Sequence, residues 1–251
     1  MPDSRVPAQH VRPYVHESTG TRALHFSIHE MQSRMQIADP GALDLEYTRT
    51  MMGFLLFRPE PQHIVMIGLG GGSLAKFCYR HLKNSRLQVI EINPHVIALR
   101  DEFHVPPDDE RFSVVQADGA RFVRRRAARC DVLMVDGFDS GGLPSRLCSQ
   151  RFYDDCAGML QADGILVVNL HYGHARLPIF LDRIRRSFND SVLVVDCVDG
   201  ANSILFARQG RAFDDRPPGA VRRPKNLDRL AAEQLLGGFA QIRSALRERC
   251  R

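Results

Sequence analysis

Four carboxylates and one run of glycines are the residues in this chain of 251 whose types and spacing suggest chemistry. The segment "IVMIGLGGGSLAKF", Ile64 to Phe77, is an apolar run, then four glycines within five positions, then a helix-like stretch. Bare backbone lets a ligand lie against the main chain, and the amides that open a helix face it. As a dinucleotide fingerprint, Gly68-x-Gly70-x-x-Ser73 carries Ser where Gly or Ala is expected. Glu91 ends the next apolar run, where a carboxylate can accept both hydroxyls of a ribose. Asp118, in "QADGARF", ends the third, where it could bind an adenine amine; Asp136 and Asp139 follow the fourth, in "VDGFDSGGLP". Taken singly, such acids are also helix caps, and Asp118 and Asp139 could each cap the helix or turn that follows. Together, at the carboxyl ends of successive strands and beside a Gly-rich loop, they point to adenosine binding.

The elements that must position them follow from periodicity. "TRALHFSIH" (21–29) and "EMQSRMQIA" (30–38) read as two short strands joined near His29-Glu30, after an irregular stretch over 1–20. Apolar spacing from Leu43 predicts a helix to about Phe57, stopped by "RPEPQ". Strand and helix then alternate: "HIVMIGL", "SLAKFCYRHLK", "RLQVIEI", "PHVIALRDEF", "RFSVVQAD", "ARFVRRRA", "CDVLMVD", "SQRFYDDCAGML", "GILVVNL" and "ARLPIFLDRIRRSF". That order implies a parallel sheet covered on both faces. The last two strands, "SVLVVDCV" (191–198) and "NSILFARQ" (202–209), are separated by "DGA" alone. Parallel neighbours need a dozen or more connecting residues, so these two must form an antiparallel hairpin.

A nucleotide-binding sheet closed in this way matches the fold of adenosylmethionine-dependent transferases rather than that of dinucleotide dehydrogenases. The expected class is α/β, Rossmann-like, of the adenosylmethionine-dependent methyltransferase type: a mostly parallel seven-stranded sheet with a closing antiparallel hairpin, plus a short N-terminal β domain. The expected division is 1–42 for the β-hairpin domain, 43–210 for the catalytic domain, and 211–251 for a linker and a terminal amphipathic helix broken at Gly237-Gly238.

Composition narrows the function classes. No apolar run approaches the ~20 residues a membrane helix needs. "MPDSRVPAQH" holds no apolar leader core, so a cytoplasmic protein is expected. The six cysteines form no C-x-x-C pair and read as reduced thiols. His171 and His174 are the closest histidines, with no third ligand beside them, so no metal site is expected. The net charge is +5, much of it arginine in 121–130 and 208–225. Without Trp or interleaved aromatics, those segments read as a solvated helix face and a basic linker, which disfavours a nucleic-acid partner.

From about residue 21 to 210 the chain resembles the spermidine synthase (polyamine aminopropyltransferase) family, as a divergent member. The order of "LEYTRTMM", "IGLGGGS", "VIEINPHVI", "QADGARF", "VDGFDSGGLP", "FYDDCAGMLQADGILVVN" and the hairpin carries the resemblance. It implies that Gly68, Gly70 and Gly72 line a nucleoside, that Glu91 holds its ribose, and that Asp118 with Gly119 meets its adenine edge. It also implies that Asp136 is the catalytic aspartate, with Asp139 a second acid at the substrate amine. Tyr47 matches a tyrosine that closes the site over donor and substrate, Gln32 a glutamine near the donor, and Asn169 a polar residue of the acceptor channel. The implied reaction moves an aminopropyl group from decarboxylated S-adenosylmethionine to a diamine such as putrescine, without a metal; the family commonly forms dimers or tetramers, so a homodimer is the implied assembly. Three departures accompany the match: Gly71 stands at the family's Asp, Thr48 at its Gln, and Val198 nearest its acceptor-binding Tyr. They leave two alternatives, a methyltransferase using intact S-adenosylmethionine on an unknown acceptor, and a non-catalytic nucleoside-binding relative.

Overall fold

The computed structural model describes residues 10–27, 30–125, 129–139, 142–198, 200–210, 212–213, 224 and 227–249. Three antiparallel strands come first: β1 (Tyr14–Ser18), β2 (Thr21–Ser27) and β3 (Glu30–Gln36), in the order β1-β2-β3. Residues 14–18 are therefore a strand where the sequence suggested irregular chain. The strand is mostly exposed, so it shows no apolar alternation. The expected joint at His29 falls outside the described residues.

The main sheet has seven strands: β4 (His63–Ile67), β5 (Arg86–Glu91), β6 (Phe112–Gln116), β7 (Cys130–Val135), β8 (Leu160–His171), β9 (Val192–Asp196) and β10 (Asn202–Arg208). Their order is β6-β5-β4-β7-β8-β10-β9. Pairs among β4 to β8 are parallel, and β10 runs antiparallel to both β8 and β9. The α/β class with a closing hairpin is as expected. Both faces of the sheet are covered, so alternate residues of one strand enter different cores. Ile64 and Met66 of β4 join one apolar cluster, and Val65 and Ile67 join the other. This is why the strands read as continuous apolar runs.

The helices are α1 (Glu46–Met51), α2 (Ser73–His81), α3 (Pro94–Ile97), α4 (Gly119–Arg125), α5 (Gln150–Met159), α6 (Leu177–Ser187), α7 (Arg229–Gln234) and α8 (Leu236–Arg249). Three differ from expectation. The helix foreseen from Leu43 to Phe57 is α1 followed by a 3-10 turn, Met52–Leu56, whose residues are all buried. Burial on every side keeps the apolar count high while the hydrogen-bond register changes. The helix after Pro94 lasts one turn. Beyond it the chain goes on in tighter turns, the Leu99 and Arg100 amides donating three residues back to the Val96 and Ile97 oxygens at 3.1 and 3.2 Å. The terminal helix breaks at Leu235, not at the glycines. A Cβ on Gly238 would lie 3.0 Å from the Arg49 oxygen, so that glycine lets α8 approach α1. Most of the expected linker over 211–225 lies outside the described residues.

The five described cysteines are buried free thiols. Among the described residues no helix is long and apolar enough to cross a membrane, and no three potential ligands gather to hold a metal ion.

Candidate active site

Strand order reverses between β4 and β7, so the loops leaving their carboxyl ends lie at the place where open α/β sheets bind ligands. The two loops touch closely. Gly68 has φ +98°, and a Cβ on it would stand 2.1 Å from the backbone oxygen of Asp136. Only glycine meets both demands, so this glycine is explained by loop-to-loop packing before any ligand is considered. A Cβ on Gly72 (φ +70°) would strike Val105 at 2.4 Å, and one on Gly119 would strike Ile67 at 2.4 Å. Gly70 has more room, with Ser33 Cβ of β3 nearest at 3.6 Å.

Glu91, at the end of β5, is buried and braces the glycine loop. One oxygen accepts from the Leu69 amide at 2.8 Å and the other from the Asn93 amide at 2.8 Å. Burial pushes its carboxyl above the usual range, against the pull of those amides and of His10. The N-terminal segment runs beside it, where the Val11 oxygen accepts from Asn93 Nδ2 at 2.8 Å. Asp118 does cap a helix: one oxygen accepts from the Ala120 and Arg121 amides of α4 at 2.9 and 3.3 Å. Its other oxygen accepts from Arg146 Nη1 at 2.6 Å. Burial raises its carboxyl, but Arg146 and the helix amides outweigh that and hold it below the ordinary value.

Asp136 follows β7 and is gripped by side chains from two other elements. Tyr47 of α1 donates to Oδ2 at 3.2 Å, and Asn169 of β8 donates to Oδ1 at 2.9 Å. Burial raises its carboxyl above the usual value despite the two hydrogen bonds and the nearby His171. Burial, and then the charge of Asp136, push the Tyr47 phenol far above its ordinary value, so it stays a donor. Helix α1 and the residues that lead into it are pinned from three directions. Asp44 accepts from Gln36 of β3 at 2.8 Å, Thr50 donates to Gln241 of α8 at 3.0 Å, and Glu46 accepts from the Val198 amide at 3.0 Å.

The structure thus gathers Tyr47, Asp136 and Asn169 into one cluster and sets Glu91 against the glycine loop. Asp139 is exposed and exchanges reciprocal backbone hydrogen bonds with Gly142 at 2.9 and 3.0 Å. Gln32 is half-buried on β3, next to Ser33. The rim also holds further side chains. Arg146 engages Asp118. The Phe138 and His171 rings meet edge to face with centroids 4.5 Å apart. Ser33 and Phe103 close over Gly71, where a Cβ would lie 2.8 Å from each. Asn202 donates to Asn169 Oδ1 at 2.9 Å. In the sequence Asn202 is the first residue of the last expected strand, and its only signal was a polar residue ahead of the apolar run Ile204 to Ala207.

Thr48 is buried and donates to the Leu45 oxygen at 2.5 Å. Val198 is 81% exposed.

Comparison with known proteins gives these features a context. The spermine/spermidine synthase domain family matches residues 44–186. A polyamine aminopropyltransferase of Neisseria meningitidis serogroup A is 38% identical over 197 residues, covering 78% of this chain and 75% of the relative. A probable spermidine synthase from Corynebacterium glutamicum superposes with a TM-score of 0.70 at 19% identity, over 84% of this chain and 82% of the other. Human methyltransferase-like protein 13, solved with SAH, superposes with a TM-score of 0.65 at 22% identity, over 78% of this chain and 93% of the other. The two structural likenesses show the fold.

Proposed function

Since the chain belongs to the spermine/spermidine synthase domain family, we propose that it moves an aminopropyl group from decarboxylated S-adenosylmethionine to a diamine such as putrescine. The observation that carries this reading is the setting of Asp136, a partly buried carboxylate held by two donors beside a glycine loop. A primary ammonium resembles lysine, with a pKa of ~10, and must lose a proton before its nitrogen can attack. Asp136, made more basic by burial, receives that proton. Tyr47 and Asn169 take one lone pair on each oxygen and leave others for the amine. The amine nitrogen forms a bond to the CH2 on the sulfonium. The carbon–sulfur bond breaks, its electron pair stays on sulfur, and neutral methylthioadenosine leaves without needing a proton. Holding the two reactants in line supplies much of the acceleration.

In this reading Gly68, Gly70 and Gly72 lie along the nucleoside, Glu91 accepts the ribose hydroxyls, and Asp118 with Gly119 meets the adenine. Gln32 and Tyr47 flank the donor, and Asp139 attracts the far ammonium of the diamine.

One observation favours a second reading, methyl transfer from intact S-adenosylmethionine. Position 71 offers no carboxylate to a cationic donor tail, and Phe103 and Ser33 fill the space one would need. Calorimetry with the decarboxylated donor, the intact donor and methylthioadenosine, together with turnover on putrescine, separates the two. Aminopropyl transfer predicts preferential binding of the decarboxylated donor and formation of a triamine. Equal or tighter binding of the intact donor with no triamine would favour methyl transfer. No binding of any of the three would overturn both.

A further inference from the structure

We infer that Asn202, outside the segment matched by the family, is a positioning residue that orients Asn169 so that its amide donates to Asp136. The inference deepens the reading of Asp136 as proton acceptor and rests on it for the catalytic consequence.

Hydrogen-bond direction sets the order of these three side chains. An ionised carboxylate only accepts, so Asn169 must turn its NH2 toward Asp136 and its carbonyl oxygen away. That oxygen is then buried with a residue 3% exposed, and it needs a donor of its own. Strand β8 cannot supply one, because its backbone groups are committed to β7 and β10. Asn202 opens β10, where the register sets Ile204 opposite Asn169 and Asn202 opposite His171. Its side chain therefore reaches Asn169 diagonally along one face of the sheet, and Nδ2 donates to Oδ1 at 2.9 Å. The series Asn202 to Asn169 to Asp136 runs in one direction, each amide spending its NH2 on the next acceptor at 2.9 Å. Without the first donor, an Asn169 flip would satisfy its NH2 elsewhere and set an oxygen against the carboxylate.

Asn202 is itself fixed. Its backbone oxygen accepts from the Cys197 amide at 2.9 Å across the turn, and the next residue, Val198, donates to Glu46 at 3.0 Å. Glu46 precedes Tyr47, the other donor to Asp136. One hairpin turn thereby braces both residues that hold the carboxylate. The titratable groups acting on Asp136 are Tyr47 from α1 and His171 from β8; Asp139 lies further along its own loop.

The test uses Asn202→Leu, close in shape, neutral, and unable to donate, with Asn202→Ala as a second variant should the first fold poorly. Two readouts are taken: steady-state kinetics with decarboxylated S-adenosylmethionine and putrescine, and the carbon-13 titration of the Asp136 carboxyl in the ligand-free protein. Losing a directed donor should move the Asp136 titration to higher pH, because one of the bonds that lower it is weakened. It should cut kcat about tenfold while the donor KM stays within about twofold. An unmoved carboxyl titration overturns the inference, even where thermal stability or KM changes. Asp136→Asn is assayed in parallel. If it keeps full turnover, the proposed reaction fails, and the titration alone still decides the role of Asn202. If it loses turnover while Asn202→Leu matches the parent in both readouts, only this inference fails.

Discussion

Strand β7 carries an aspartate near each end, and the two live in different surroundings. Asp131 at its start is 1% exposed and accepts from the Gln62 and His63 amides at 2.7 and 2.9 Å and from Arg58 at 2.5 Å. Every partner lies in the segment that leads into β4, so this carboxylate stitches one strand entrance to its neighbour. Asp136 at the other end has no backbone donor among its hydrogen bonds. Its partners are the side chains of Tyr47 and Asn169, one from a helix and one from a strand that arrives later. A carboxylate saturated by fixed amides and a guanidinium has little left to offer a ligand. One held by two neutral side chains, and raised by burial, keeps lone pairs and basicity. The same residue type, five positions apart, serves architecture at one end and, in the proposed reaction, chemistry at the other.

The largest expected effect tests that division directly. Asp136→Asn should lower kcat by about 10²- to 10⁴-fold while calorimetric affinity for methylthioadenosine stays near the parent value. Undiminished turnover would remove Asp136 from the chemistry. Asp131→Ala should do the reverse, costing about 3 kcal/mol in denaturant unfolding because two amides and an arginine lose their acceptor, with kcat per folded molecule retained. If instead the loss of kcat tracked the loss of stability in both variants, the contrast between the ends would be void.

Smaller effects sharpen the donor side. Gly68→Ala must push the β4 loop off the Asp136 backbone, 2.1 Å from the new methyl. It should destabilise by about 1–3 kcal/mol and weaken both nucleoside affinity and turnover, a coupling that two independent loops would not show. Lys76 gives the mildest and most pH-dependent effect. Burial lowers its ammonium from 10.5 to about 8. Below about 8 the folded state bears the full cost of the buried charge; the cost fades as pH rises and is gone above 10.5, where both states are neutral. Lys76→Met should therefore stabilise the protein at pH 7 by about 1–2 kcal/mol, net of the hydrogen bond lost at the Phe103 oxygen. Thermal melts at pH 7 and pH 10 should show that gain shrinking; a gain independent of pH would mean the lysine is not the cause.

Much of the fold was legible because its signals are local. Apolar runs in β4, β5 and β7 mark strands buried on both faces, and a three-residue connection leaves β9 and β10 no geometry but a hairpin. The acids at the strand ends were legible for the same reason. Where local pattern failed, distant contacts had taken over. After Ile97 the backbone tightens into three-residue turns, and α8 keeps its helix through Gly238 because that glycine lets it approach α1. The Arg58 partner of Asp131, the Phe103 ring over Gly71 and the Asn202 amide behind Asn169 left almost no trace in the residues around them.

The chain order alone determined that parallel strands would bring Glu91, Asp118 and Asp136 to one rim, because strand direction and loop position follow from the run of elements. Which carboxylate would be saturated and which kept available was decided only by the folded neighbours. Hydrogen-bond capacity is a property of the atoms within ~3 Å, and those atoms come from parts of the chain that the sheet, not the sequence, makes adjacent.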